Sequence, residues 1–147
     1  MGKNLSLSCF QTYMNHAGDK DLKELIHDLM DQTKQEIDEC NELLKQNEIA
    51  PPPAFPEKPS ANREDIPIGA RFADPEIFAN IYADLAASLV LCSQIMAKCI
   101  REDVGAMFEK YHTKKTAISL RALRLTKDKG WLMPPPLHVE RAEPVTV

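Results

Sequence analysis

The sequence predicts an all-α protein, a four-helix bundle in which two helical pairs are joined by one long proline-rich crossover. Three observations carry this. Apolar residues recur at three- and four-residue steps over four separate segments. Aromatic residues make up only 6% of the chain and glycines number 5, so the turn-rich, β-branched character of a sandwich or barrel is missing. Six of the 11 prolines fall at positions 51, 52, 53, 56, 59 and 67, between the second and third segments. With 147 residues and 44% hydrophobic content, the chain has material for a single domain over residues 1–147.

The first helix is predicted over residues 5–17, with Phe10, Tyr13, Met14 and Ala17 on its apolar side and Gly18 as a left-handed stop. Asp19 caps a second helix over residues 20–47, where Leu22, Ile26, Leu29, Thr33, Ile37, Cys40 and Leu44 form the core stripe. Prolines forbid helix through most of residues 48–73. Ile49, Phe55, Ile66, Ile68 and Phe72 suggest that this crossover lies against the protein, since a structureless loop of that length is improbable in a compact domain.

Asp74 before Pro75 makes a helix start, and the third helix is expected over residues 75–101. It is apolar around most of its circumference, which marks a helix covered on more than one side. A tight turn at Glu102 and Asp103 leads into a fourth helix over residues 103–129, with the stripe Val104, Met107, Phe108, Tyr111, Ile118, Ala122 and Leu125 and a Gly130 stop. The tail, residues 131–147, is expected to be extended, with polyproline conformation at prolines 134–136 and Trp131 as its anchor.

Net charge is −4, too small to demand a polyanionic or membrane partner, but it is unevenly spread. Residues 19–48 hold ten acidic and four basic side chains, and residues 103–129 hold seven basic and three acidic. The second and fourth helices should therefore attract each other. The basic run Lys110, Lys114, Lys115, Arg121, Arg124, Lys127 and Lys129 comes without a nucleic-acid motif or aromatic platform, so a solvated or acid-paired face is expected and no nucleic-acid partner. Asn80, Asp84, Gln94 and Lys98 interrupt the most apolar stretch, so no membrane span is expected, and no secretory signal opens the chain. The expected location is cytoplasmic. Cys9, Cys40, Cys92 and Cys99 match no zinc spacing and read as reduced thiols on apolar stripes.

One constellation resembles a metal site. Carboxylate-bridged di-metal bundles draw a Glu from each of two helices and a Glu-x-x-His from each of the others, because three-residue spacing puts both ligands on one face. This chain holds Glu24-Leu-Ile-His27 and Glu109-Lys-Tyr-His112. At about 100° per residue, however, Glu24 and Glu109 fall nearly opposite the apolar stripes of their helices, with His27 and His112 on the flanks. The first helix supplies no acidic residue and the third only Glu76 and Asp84. Solvated surface residues are the expectation, with no cofactor and no catalytic residue; His16 and His138 lack partners at ligand spacing.

The phrases Tyr13-Met-Asn-His-Ala-Gly-Asp, Asn47-Glu-Ile-Ala-Pro-Pro-Pro and Lys129-Gly-Trp-Leu-Met-Pro-Pro-Pro, on this order of helices, resemble a family of uncharacterised helical proteins common in spore-forming Gram-positive bacteria. The resemblance covers nearly the whole chain. It implies a ferritin-like fold, a loose similarity to spore coat F-type proteins and association with sporulation, and it carries no catalytic residues. The predicted first helix is only half of what a full bundle supplies: about 12 residues against about 27 leaves ~20 Å of bundle without a fourth wall. A homodimer through the third and fourth helices is the expected remedy, with Leu120 and Leu123 off the main stripe adding to the surface to be covered. No small-molecule substrate is identified.

Overall fold

The computed structural model describes residues 2–132, which contain four α-helices and no strand. They are α1 (Gly2–His16), α2 (Lys20–Gln46), α3 (Asp74–Lys98) and α4 (Glu102–Lys129), with two short 3-10 turns, Arg63–Asp65 and Ile68–Ala70, in the crossover. The expected polyproline stretch of the tail, like His138, lies outside the described residues.

α1 starts three residues earlier than its apolar periodicity indicates. Its first turn is fixed by polar contacts that periodicity does not report: Lys3 pairs with Glu36, and the Asn4 amide donates to the Pro53 carbonyl at 3.1 Å. Asp19 caps α2 as expected, accepting from the Leu22 N–H at 3.0 Å. Gly130 closes α4 in the left-handed region at φ 70°.

Gly18 is not left-handed. It permits a close approach: the N–H groups of Gly18 and Asp19 donate to the two carboxylate oxygens of Asp74 at 2.7 and 3.0 Å. A Cβ at position 18 would lie 3.2 Å from Arg63 Nη1 and 3.3 Å from Asp74 Oδ2. Asp74 therefore ties the α1–α2 turn to the start of α3 instead of capping its own helix. The cap position is Ala73, whose N–H donates to the Glu76 carboxylate at 2.7 Å. α3 stops at Lys98, with Cys99 already extended.

α1 packs antiparallel on α2, and α3 on α4. The Asp74 contacts bring the starts of α2 and α3 together, and Lys129 pairs with Asp19 and Asp21 at the same end. At the opposite end Arg101 Nη1 donates to Asn47 Oδ1 at 2.8 Å. α2 and α3 therefore run in the same direction, and the crossover travels back the length of the molecule along α1. Polar groups grip it: Pro59 and Ala61 bond the Asn15 side chain, and the Phe72 N–H donates to His16 Nδ1 at 3.1 Å. Because hydrogen bonds hold the crossover, its apolar residues bury less than their number suggests. Ile68 is 83% exposed and Phe55 is exposed too, while the Phe72 ring lies edge-on to Tyr13 at 5.9 Å.

The core sits in the half of the molecule that α1 covers. Leu22, Leu25, Ile26, Leu29, Ile77, Phe78, Ile81, Leu85 and Ala122 are buried there with Phe10, and Trp131 packs on them, its ring 6.1 Å from that of Phe78. Beyond about residue 30 of α2 the buried apolar set thins to Cys92 and Tyr111. By length and composition alone the segment holding α3 passes as a membrane span, since Asp84 is its one charged residue between Glu76 and Lys98. In this fold five of its residues, Ile77, Phe78, Ile81, Leu85 and Cys92, are buried against the other helices.

Candidate functional site

The residues that sequence singled out are dispersed. Glu24 and His27 are exposed on α2, and His27 Nδ1 lies 3.3 Å from Asp31, its neighbour one turn on. Glu109 is exposed on α4 and accepts from the Thr113 hydroxyl at 2.9 Å, while His112 is half-buried. Among the described residues no three His, Cys, Asp or Glu side chains assemble as a metal site. His16 is the acceptor for the crossover already described.

The charges of α2 and α4 do meet. Arg121 pairs with Asp28, Lys110 with Glu39 at 3.2 Å, and Lys114 donates to Gln35 at 3.2 Å. With Lys129 on Asp19 and Asp21, these contacts form a ladder along the α2–α4 seam, so much of the basic run faces acidic partners.

The chemistry concentrates in the interior of that ladder. Glu36 is only 1% exposed, and both Lys3 and Lys115 converge on its Oε2, Lys115 at 3.0 Å. Its Oε1 accepts from the Gln32 amide at 2.8 Å. Lys115 is itself buried, and Lys3 Nζ sits 5.2 Å from the centre of the Tyr111 ring. The Tyr111 hydroxyl donates to Glu39 Oε2 at 2.8 Å. Burial alone would raise the Glu36 carboxyl, but Lys115 and Lys3 outweigh it and hold the group below its ordinary value. Burial lowers Lys115, and the like charge of Lys3 adds to that. Burial also pushes up the Tyr111 phenol, assisted by its bond to Glu39, and the thiols of Cys40 and Cys92.

A cleft of about 630 Å³ opens over this cluster beside the first turns of α1. Leu5 of α1, Ile37 and Leu44 of α2, Leu91 and Ile95 of α3 and Phe108 of α4 supply apolar walls, and Lys3 and Lys115 reach into it. Three of the four cysteines, Cys9, Cys40 and Cys92, border it as free thiols. Among the described residues the crossover contributes only Pro52 to its lining.

The sequence carried a signal for the cluster that stripe analysis passed over. Glu36 lies seven residues after Leu29, and Lys115 four after Tyr111 and three before Ile118, so each occupies a core-stripe position. A charged residue at such a position on each of two oppositely charged helices marks a buried pair.

Comparison with known proteins gives a consistent result. The model of the family described as "Protein of unknown function (DUF3231)" matches residues 1–143. The uncharacterised protein YvdQ of Bacillus subtilis (strain 168) is 45% identical over 141 residues, spanning 96% of this chain and 83% of that protein. The crystal structure of a "putative spore coat protein" from Bacillus halodurans C-125 superposes with a TM-score of 0.91 at 45% identity, over 95% of this chain and 87% of that one.

Proposed function

The chain belongs to the DUF3231 family, and from that premise we propose that it is a non-enzymatic, self-associating helical protein of the spore. The reading of the fold as a ferritin-like bundle draws support from the helix directions: α2 and α3 run the same way across one long crossover, as in bundles of that type. The buried carboxylate of this interior, Glu36, is paired with two lysine ammonium groups. This favours a structural role. Spore association is supported by the likeness to the B. halodurans protein.

The observation that carries self-association is the outer face of α3. Ala79, Tyr82, Ala83, Ala86, Val90 and Ala97 are all exposed at helical spacing. Between Glu76 and Lys98 the one charged residue is Asp84, which turns inward to accept from the Ser6 hydroxyl at 2.9 Å. An exposed helix of a monomer ordinarily carries charges on its outer face. Val90 is 58% exposed, and Leu120 on the neighbouring α4 is 54% exposed. A second copy paired about a two-fold axis fits an uncharged face, because residues close to the axis meet their own copies and a charge there would face a like charge. Small side chains also allow the two helices to approach closely.

Light scattering at tens of micromolar protein tests this. A mass near twice 16.6 kDa, about 33 kDa, is expected, and a mass of 16.6 kDa refutes it. Ala86→Glu, on an exposed position, should return the monomer with helix content unchanged. Detection of the protein in the coat fraction of purified spores tests the spore assignment; its confinement to vegetative cells would refute it.

A further inference from the structure

We propose that the C-terminal segment, residues 133–147, docks along the outer face of α3 and competes there with a second copy of the chain, weakening self-association without abolishing it. The inference rests on the reading of that face as the self-association surface.

The first ground is a repeated segment. Pro51-Pro52-Pro53 is followed after three residues by Glu57 and Lys58, and Pro134-Pro135-Pro136 is followed after three residues by Glu140 and Arg141. Each proline run begins five residues after a long helix, α2 ending at Gln46 and α4 at Lys129. A left-handed residue, Glu48 or Gly130, follows each of these helices. The chain is thus two helical hairpins, each followed by the same kind of proline segment.

The second ground is the seat of the first segment, which turns back along its own hairpin on α1. Asn4 holds the Pro53 carbonyl, Gln11 accepts from the Lys58 N–H at 3.1 Å, and Asn15 holds Pro59 and Ala61. Spaced seven and four residues apart, the three form one strip of α1. At about 100° per residue, Asn4 stands ~160° around α1 from Ser6, the residue that meets Asp84 of α3. Ala86 stands ~160° around α3 from Asp84. The outer face of α3 therefore corresponds to the strip of α1 on which the crossover lies.

The third ground is reach and chemistry. The Trp131 ring packs against Phe78 in the first turns of α3, so the segment sets out from the near end of that face. Its 15 residues at about 3.1 Å each span ~45 Å, against ~38 Å for the 25 residues of α3. On that count Glu140 and Glu143 come level with Lys98 at the far end. Where the α1 strip offers amides, the first segment carries Ala54 and Pro56; where the α3 face offers methyl groups and Val90, the second carries Leu137 and Val139 at the same places. Covering these apolar side chains on an uncharged face is favourable.

The test is the full chain with Leu137→Glu and Val139→Glu, neither of which belongs to the described core, with circular dichroism as the check on folding. If the segment fills its seat two-thirds of the time, each face is vacant for a third. Hydroxyl-radical labelling, at a dilution where light scattering reads the monomer, should then mark the exposed Tyr82 about threefold faster in the variant, with Phe55 of the crossover unchanged as the control. A synthetic peptide of residues 133–147 added to the variant should restore the protection. The dimer dissociation constant of the variant should be about ninefold lower than that of the parent, because both copies must be vacant at once. Equal labelling of Tyr82 in parent and variant overturns the proposal, as does an unchanged dissociation constant. Monomers at every concentration for both chains, with the labelling difference kept, refute self-association and uphold the seat of the segment.

Discussion

Replacing Glu36 with Gln is the sharpest perturbation of this fold, because it removes the shared acceptor of two ammonium groups while keeping side-chain size and the bond from Gln32. The Lys115 side chain, only 7% exposed, loses its ion-pair partner, whereas Lys3, whose side chain is 26% exposed, can swing outward. Breaking a buried ion pair from one side costs about 3–5 kcal/mol. The freedom of Lys3 places Glu36→Gln at the lower end, about 3 kcal/mol, a large share of the 5–15 kcal/mol typical of a domain. For a chain of this length that is a fall of about 6–12 °C in melting temperature. Urea denaturation followed by circular dichroism measures it. The triple variant Lys3→Met, Glu36→Leu, Lys115→Met should stay within about 1 kcal/mol of the parent or exceed it, since apolar replacement of a whole buried ionic group is often neutral or stabilising. A pH series adds an independent check. The folded Glu36 carboxyl lies below its ordinary 4.5, so its contribution is fully present above that pH and is lost as pH falls through the folded value. The parent should therefore lose stability in acid more steeply than Glu36→Gln. A cost under about 1 kcal/mol for Glu36→Gln, or a triple variant as unstable as the single, would refute the reasoning.

Three further outcomes are expected. Asp74→Ala frees the backbone N–H groups of Gly18 and Asp19 and should cost about 1–2 kcal/mol in denaturation, comparable to the loss of a helix cap, with an unchanged midpoint counting against the clamp. Glu48 holds a left-handed φ of 59° just past α2, so Glu48→Gly should raise stability by up to about 1 kcal/mol, read as a higher melting temperature; a fall would show that the strain is absent. Chelation by EDTA should leave the melting temperature unchanged, and Glu24→Ala or His27→Ala should stay within about 0.5 kcal/mol of the parent, as for other exposed positions; stoichiometric iron, manganese or zinc in elemental analysis would contradict both.

The helices were legible because burial on this fold has the period of a helix. Leu22, Ile26, Leu29 and Thr33 of the expected stripe are all buried, and caps at Asp19 and Gly130 came from local chemistry. Asp74 was assigned the wrong task for a physical reason: the residue pair Asp-Pro has a strong local preference, and a partner 55 residues away in sequence cannot be seen from it. Gly18 was misjudged in the same way, since its need for a small side chain comes from Asp74 and Arg63 and not from backbone handedness. The candidate site fared worst. Motif spacing pointed to outward-facing Glu-x-x-His pairs, while Glu36 and Lys115 carry no motif and declare themselves only as charges at core positions, once the two stripes are set against each other.

The buried charges lie at the level where the first described turn of α1 meets α2. There Lys3 meets Glu36, and the apolar core lies on the covered side of that level. On the other side, among the described residues, α2, α3 and α4 continue beyond α1. A fully apolar interior at this boundary would expose hydrocarbon to water entering through the open face, and an unpaired charge there would be desolvated without return. A lysine–glutamate–lysine group resolves both demands, because it tolerates a wet side and satisfies its own carboxylate on the dry one.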